Sequence, residues 1–285
     1  CAPRDRTVST ILPAFGHVAL GRGHGPDQMQ AHLHFSGAYG HAHYDALGLL
    51  LWAKGREMLP DLGYTWTQMR YWTASTLAHN LVVVNRQDQD ADAIGGSLLF
   101  YFPGDTRRPN GLSICAVEAE APLAYRSVGD VDLYRRTLVT VPVSARDAYV
   151  VDVFRVRGGR THDWTLNGSA DEDATATCSL PLQGSRASLL DPGEPWAEPR
   201  TQGERSNAYG FVREVARGDL PGAMTVGFAA PADASRGLLT HLFAPPGEVW
   251  LGRSPSVRRM GVGTAADGRT AYDYWMPKLV VRRQG

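Results

Sequence analysis

Between Gln28 and Ser36 the chain reads QMQAHLHFS. Met29, Ala31, Leu33 and Phe35 alternate with Gln30, His32 and His34, the period of two that marks a strand with one buried face. His32 and His34 then belong to a polar outer face. Downstream, ALGLLLWA (Ala46–Ala53) is continuously apolar, as in a strand covered on both sides. Lys54-Gly55-Arg56 makes the turn and Glu57–Leu62 the return. Working outward, NLVVVN (Asn80–Asn85), Leu98–Phe102, Ser113–Glu120, Asp132–Val141 and Tyr149–Arg157 have the same texture, the last two as a long hairpin around Pro142–Asp147. Residues 168–208 are rich in Gly, Pro, Ser and acidic residues and read as an excursion of loops and short strands. The pattern resumes in Phe211–Val215, Ala223–Ala229, Leu238–Phe243, Glu248–Leu251 and Leu279–Arg282. Helical periodicity is scarce. The expected fold class is all-β, a large antiparallel β-sandwich over residues 16–285, preceded by an irregular, proline-containing linker at 1–15.

Composition narrows the function classes. Lys+Arg and Asp+Glu are both 29, giving a formal net charge of zero. That balance gives no support to binding nucleic acid or an anionic membrane through bulk electrostatics. Lysine occurs only at Lys54 and Lys278, so an acidic polymer would be met by local arginines. No apolar run approaches the roughly 20 residues that a membrane helix requires. The three cysteines, Cys1, Cys115 and Cys178, have no metal-ligand spacing, and their odd number argues against a disulfide framework. Cys115 reads as a buried thiol. Cys1 reads as a fragment boundary rather than an acylated terminus, so the lack of a leader segment carries no message about compartment.

The chemistry concentrates between Gly37 and Asn80, where His41, His43 and His79, three of the nine histidines, accompany Asp61. His41 and His43 flank one small residue and project to the same side of an extended backbone. One aspartate and two of these histidines make a three-ligand site of the kind zinc takes, with a fourth position open to water and one imidazole left beside it. The competing reading is ordinary hydrogen-bonded histidines on a sandwich. A regular hairpin at Lys54–Arg56 would set Asp61 opposite Leu49, about 20 Å from His43 at 3.3 Å per residue. Shared coordination therefore requires Tyr39–Asp45 to fold back as a loop.

GHAHYDALGLLLWAKGREMLPDLGY (40–64), followed by STLAHNLVVVNRQDQ (75–89), resembles the C-terminal domain of the heparinase II/III-like polysaccharide lyases. YRRTLVTV (134–141) and AYVVDVFRVRGGRTHDWTLNG (148–168) resemble that family's later strands. The resemblance implies the β-sandwich part of a lyase that cleaves uronic-acid polysaccharide by β-elimination, with an N-terminal α/α toroid as partner domain. It implies zinc at His43, Asp61 and His79, a catalytic His41 facing the cleft, and an extracytoplasmic (periplasmic or secreted) location. The family's catalytic tyrosine belongs to the helical domain, and Asn167 stands where histidine is frequent. Tyr44, Arg70 and Arg86 are candidates for substrate binding, the arginines through bidentate pairing with a carboxylate. Trp52, Trp66, Trp72, Trp164 and Trp275 read as core rather than sugar platforms. Two alternatives remain open: a non-catalytic carbohydrate-binding or scaffold module with structural zinc, and a zinc-dependent hydrolase. Neither the polymer (alginate, heparan, hyaluronan or another) nor the cleavage mode is legible.

Overall fold

A computed structural model describes residues 7–37, 43–91, 95–108, 110–231, 233–261 and 267–285, without the side chains of 234–236. Strands dominate and pair antiparallel throughout. In chain order they are β1 (Thr10–Leu12), β2 (His17–Arg22), β3 (Met29–His34), β4 (Leu49–Ala53), β5 (Arg56–Leu59), β6 (Val82–Val84), β7 (Ser97–Phe102), β8 (Cys115–Glu120) and β9 (Leu133–Pro142). Then follow β10 (Ala148–Arg157), β11 (Thr161–Asn167), β12 (Thr175–Cys178), β13 (Gln183–Ser188), β14 (Arg213–Leu220), β15 (Ala223–Ala230), β16 (Asp233–Phe243), β17 (Gly247–Pro255) and β18 (Trp275–Gln284). The one α-helix among the described residues, α1, spans Arg70–Ala74.

The chain divides into two compact units. The first comprises residues 1–59 and 89–159, the second 60–88 and 160–285. In the first unit, β1-β2-β3-β4-β5 form one sheet and β10-β9-β8-β7 another. Val18, Leu20, Ala31, Leu33, Leu49 and Leu51 line the inner face of the former, and Val117, Ala119, Tyr134 and Leu138 that of the latter. β1 lies within the stretch expected as linker. The β9–β10 hairpin pairs residue for residue from Leu133–Arg157 to Pro142–Ala148, as its alternation anticipates.

β4 corrects the expectation of a doubly covered strand. Leu49 and Leu51 are buried, but Trp52 is exposed on the opposite face. The leucines at both parities conceal an ordinary half-buried strand. Lys54 (φ 53°) and Gly55 (φ 80°) form the two-residue turn, the left-handed pair a twisted hairpin requires. Leu51 faces Leu59, and the ladder ends there, before Asp61.

In the second unit, β13-β14-β17-β18-β11-β6 form a six-stranded sheet and β12-β15-β16 a three-stranded one. β18 is buried along Met276–Arg282, including Lys278. Trp72 is fully buried and stacks on Phe211, so the core assignment holds for it. It fails for Trp52 and Trp66, which are exposed. Cys115 is a buried free thiol. No helix among the described residues is long and apolar enough to cross a membrane.

Candidate metal centre

Asp61 and His79 meet in the second unit, Asp61 Oδ2 lying 3.0 Å from His79 Nε2. Short elements fix each. After α1, Ser75 turns extended and Thr76–Ala78 forms one 3-10 turn, which brings His79 back over Ser75. His79 Nδ1 lies 2.8 Å from the Ser75 carbonyl. A carbonyl only accepts, so Nδ1 carries the hydrogen and, in the neutral ring, Nε2 presents its lone pair to Asp61. Two acceptors at 3.0 Å repel unless a cation lies between them, either the second proton of an imidazolium or a metal ion. Zinc bonds of about 2.0–2.1 Å at a tetrahedral angle would set two donors about 3.3 Å apart. The pair therefore fits a metal in donor type, tautomer and spacing.

The support around the pair is dense. Asp61 Oδ1 accepts the Gly63 amide at 2.5 Å, closing a turn in which Gly63 has a φ of 73°. Arg258 Nη1 donates to the Asp61 carbonyl at 3.1 Å. Asn80 joins the two ligand segments: its Nδ2 donates to the Pro60 carbonyl at 3.0 Å, and its Oδ1 accepts the Asn167 amide at 2.8 Å. Thr165 Oγ1 donates to the His79 carbonyl at 2.5 Å. Asn167 donates from Nδ2 to the Ala78 carbonyl, and its Oδ1 accepts from Lys278 Nζ at 2.9 Å. Burial holds the Lys278 ammonium well below the usual lysine range. The sequence reading names Asp61, His79 and Asn167 but does not place Thr165 or Lys278 beside them, which sit 86 and 199 residues beyond His79.

His43, Tyr44 and Asp45 are half-buried in the first unit. They precede a tight reversal in which Leu47 has a φ of 67° and its amide donates to the His34 carbonyl at 2.8 Å. Gln89 holds both polar groups of the Ala46 backbone, at 2.8 and 3.0 Å. His43 through Asp45 thus stand outside the ladder, as the expected loop requires. Asp45 faces His34 Nε2 at 3.2 Å, a second histidine–carboxylate pair that sequence reasoning passed over. His41 lies outside the described residues.

Of the substrate-binding candidates, Arg70 places its guanidinium over the Tyr64 ring, 4.2 Å from the centroid. Arg86 pairs with Glu194 at 2.5 Å and stacks on Tyr209 at 3.8 Å, within the frame of the second unit. A buried relay of Tyr209, Asp163 and Arg282 adjoins it, the Asp163–Arg282 contacts both 2.8 Å. Burial and the Asp163 carboxylate push the Tyr209 phenol well above its ordinary range.

The comparisons with known proteins bear on this site. The model of the heparinase II/III-like C-terminal domain matches residues 29–208, more than half of the chain. The chain belongs to that family. No curated protein matches it significantly. Among solved structures, heparan sulfate lyase HepC from Pedobacter heparinus aligns with a TM-score of 0.53 at 14% identity, covering 100% of this chain. A mutant of that enzyme gives 0.53 at 13% identity over 98% of this chain. The heparinase-like chain spans 34% of each of those proteins, and at such identity the likeness speaks to fold alone.

Proposed function

We propose that this chain is the β-sandwich part of a polysaccharide lyase that cleaves uronic-acid polysaccharide by β-elimination. His43, Asp61 and His79 would hold one zinc ion. Family membership supports the reaction class. The single observation carrying the metal is the Nε2 lone pair of His79 facing the Asp61 carboxylate. His43 and Asp45 are of the same donor types. When bound, the cation would supply fixed positive charge that fastens its ligand segments.

Elimination from a uronate must lower the acidity barrier at C5, remove that proton and protonate the departing oxygen. His41 is assigned the first or second task, because an imidazole titrates close to neutrality. His43, two residues away, would aim it through the backbone. The catalytic tyrosine would come from an N-terminal helical domain, and the location would be periplasmic or secreted.

The test is to incubate the full-length protein with heparan sulfate, hyaluronan and alginate while following the absorbance of the unsaturated uronate and the zinc content. One equivalent of zinc together with unsaturated product is expected. Reducing ends without unsaturation would indicate hydrolysis, and binding without turnover would indicate a scaffold module.

A further inference from the structure

The peptide group between Ser75 and Thr76 is hydrogen-bonded at both ends. Its carbonyl accepts from His79 Nδ1 at 2.8 Å, and its N–H donates to Asp88 Oδ1 at 2.9 Å. Ser75, Thr76 and His79 are all buried, which keeps both bonds in surroundings of low polarity. Thr76 opens the 3-10 turn that delivers His79, and the Ser75 hydroxyl does not cap that turn but donates to the Trp72 carbonyl at 2.8 Å. A carboxylate from twelve residues further along therefore satisfies the first amide of the turn.

The chain strains to bring Asp88 there. After β6, Asn85 (φ 51°) and Arg86 (φ 60°) are both left-handed, and the Gln87 amide closes the turn on the Val84 carbonyl at 3.0 Å. Arginine is uncommon in that region, and such strain persists where surrounding contacts over-determine it. Here Asn85 Oδ1 accepts the Arg160 and Thr161 amides at 2.6 and 3.1 Å. Beyond the turn, Asp88 Oδ2 accepts from Tyr71 Oη at 3.1 Å and Arg205 Nη2 at 3.3 Å. Burial raises the Asp88 carboxyl above its ordinary range, and the Thr76 amide, Arg205 and Tyr71 oppose that rise by binding the charged form.

We propose that Asp88 is a positioning residue that acts on His79 through the Ser75–Thr76 peptide. A metal-binding histidine ordinarily gives its second N–H directly to a carboxylate or a backbone carbonyl, which orients the ring and strengthens the ligating nitrogen. In this chain the two devices stand in series. The Asp88 carboxylate polarises the amide it binds, the polarised carbonyl pulls harder on the Nδ1 hydrogen, and Nε2 becomes the better donor. Tyr71 and Arg205 keep the carboxylate turned to this task through its other oxygen. The inference rests on the zinc reading for the identity of the ion, whereas the relay is a property of the protein without it.

The test uses metal-stripped full-length protein and its Asp88→Asn, Asp88→Ala and Tyr71→Phe variants, titrated with zinc against a chelator, with circular dichroism and melting temperature recorded on the same samples. Nitrogen-15 labelling of the histidine rings reports the His79 Nδ1 proton by magnetic resonance in the metal-free state. Asp88→Ala should weaken zinc binding about ten- to a hundredfold. The asparagine of Asp88→Asn can still accept the Thr76 amide but carries no charge, so it should lose less, though at least about threefold. Tyr71→Phe should lose least, and the His79 Nδ1 proton should move upfield in the same order. Unchanged zinc affinity in folded Asp88→Asn would overturn the relay, whatever the melting temperature does, and this variant decides alone if Asp88→Ala does not fold. An unmoved Nδ1 proton in Asp88→Asn would overturn it as well. A wild type that takes no zinc, with the Nδ1 proton still moving in Asp88→Asn, would remove the zinc reading and keep the relay.

Discussion

Among the described residues, two histidine–aspartate pairs of the same chemistry occur, one in each unit, and their surroundings differ. His34 and Asp45 lie 3.2 Å apart beside β3, where His17 and His32 share the sheet face, with His17 Nε2 3.0 Å from His32 Nδ1. His79 and Asp61 lie 3.0 Å apart over a frame of buried hydrogen bonds that reaches Thr165, Asn167 and Lys278. In the second pair the Ser75 carbonyl decides which nitrogen faces the carboxylate. The lesson is that donor type alone does not distinguish a candidate metal ligand from an ordinary histidine–carboxylate pair. What the buried partners around His79 add is a fixed tautomer and angle.

The largest expected effect is on the ligand itself. His79→Ala should lose the cation and lower kcat/KM at least about a hundredfold, whereas His34→Ala should keep the metal and change turnover less than about threefold. Metal analysis alongside initial rates checks both. If His34→Ala sheds the cation, the contrast between the pairs is void.

Next comes the frame. Asn167→Ala removes the acceptor of a fully buried lysine and the donor to the Ala78 carbonyl, so it should cost about 2–4 kcal/mol in urea unfolding. A loss below about 1 kcal/mol would mean that the network is not rigid. Thr165→Val is milder, because the shape is kept and only the hydroxyl's bonds to the His79 and Leu81 carbonyls go: about 1 kcal/mol of stability, with zinc affinity down about tenfold. Unchanged affinity would detach the frame from the metal.

The smallest effect belongs to the other pair's neighbourhood. Burial first, then the charges of His32 and His34, lower the His17 pKa to about 4 from an ordinary 6.5. The folded state thus disfavours the protonated ring, and stability that is full above pH 6.5 is lost as pH falls toward 4. Melting temperatures measured across that window should fall less steeply in His17→Gln than in the wild type. Parallel slopes would place the proton elsewhere.

Much of this was legible in the chain. Alternation located β3, β9 and β10 within a residue or two, because one face of each is more covered than the other and period two survives in the letters. β4 misled because leucine occupies its outer face as well. The division into two units was not legible, since it depends on which strands pair, and β6 finds β11 some 80 residues away. Asp61 and His79 could be named from their motif. Lys278 could not, because an isolated lysine in an apolar strand carries no signal of the asparagine it serves.

The passage of residues 60–88 out of one unit and into the other also orders events in time. During synthesis this segment emerges before most of the unit it belongs to, since Val82–Val84 must await Trp164–His162. The first unit can close around the interruption once residue 159 has been made, leaving a loop that carries Asp61 and His79 in search of a sheet. Closing it fixes ends about 80 residues apart, an entropic delay that comes before any reward from pairing. The nascent chain therefore spends an interval as one folded unit trailing the segment that carries Asp61 and His79. That half-built state is where chaperone capture would compete with folding.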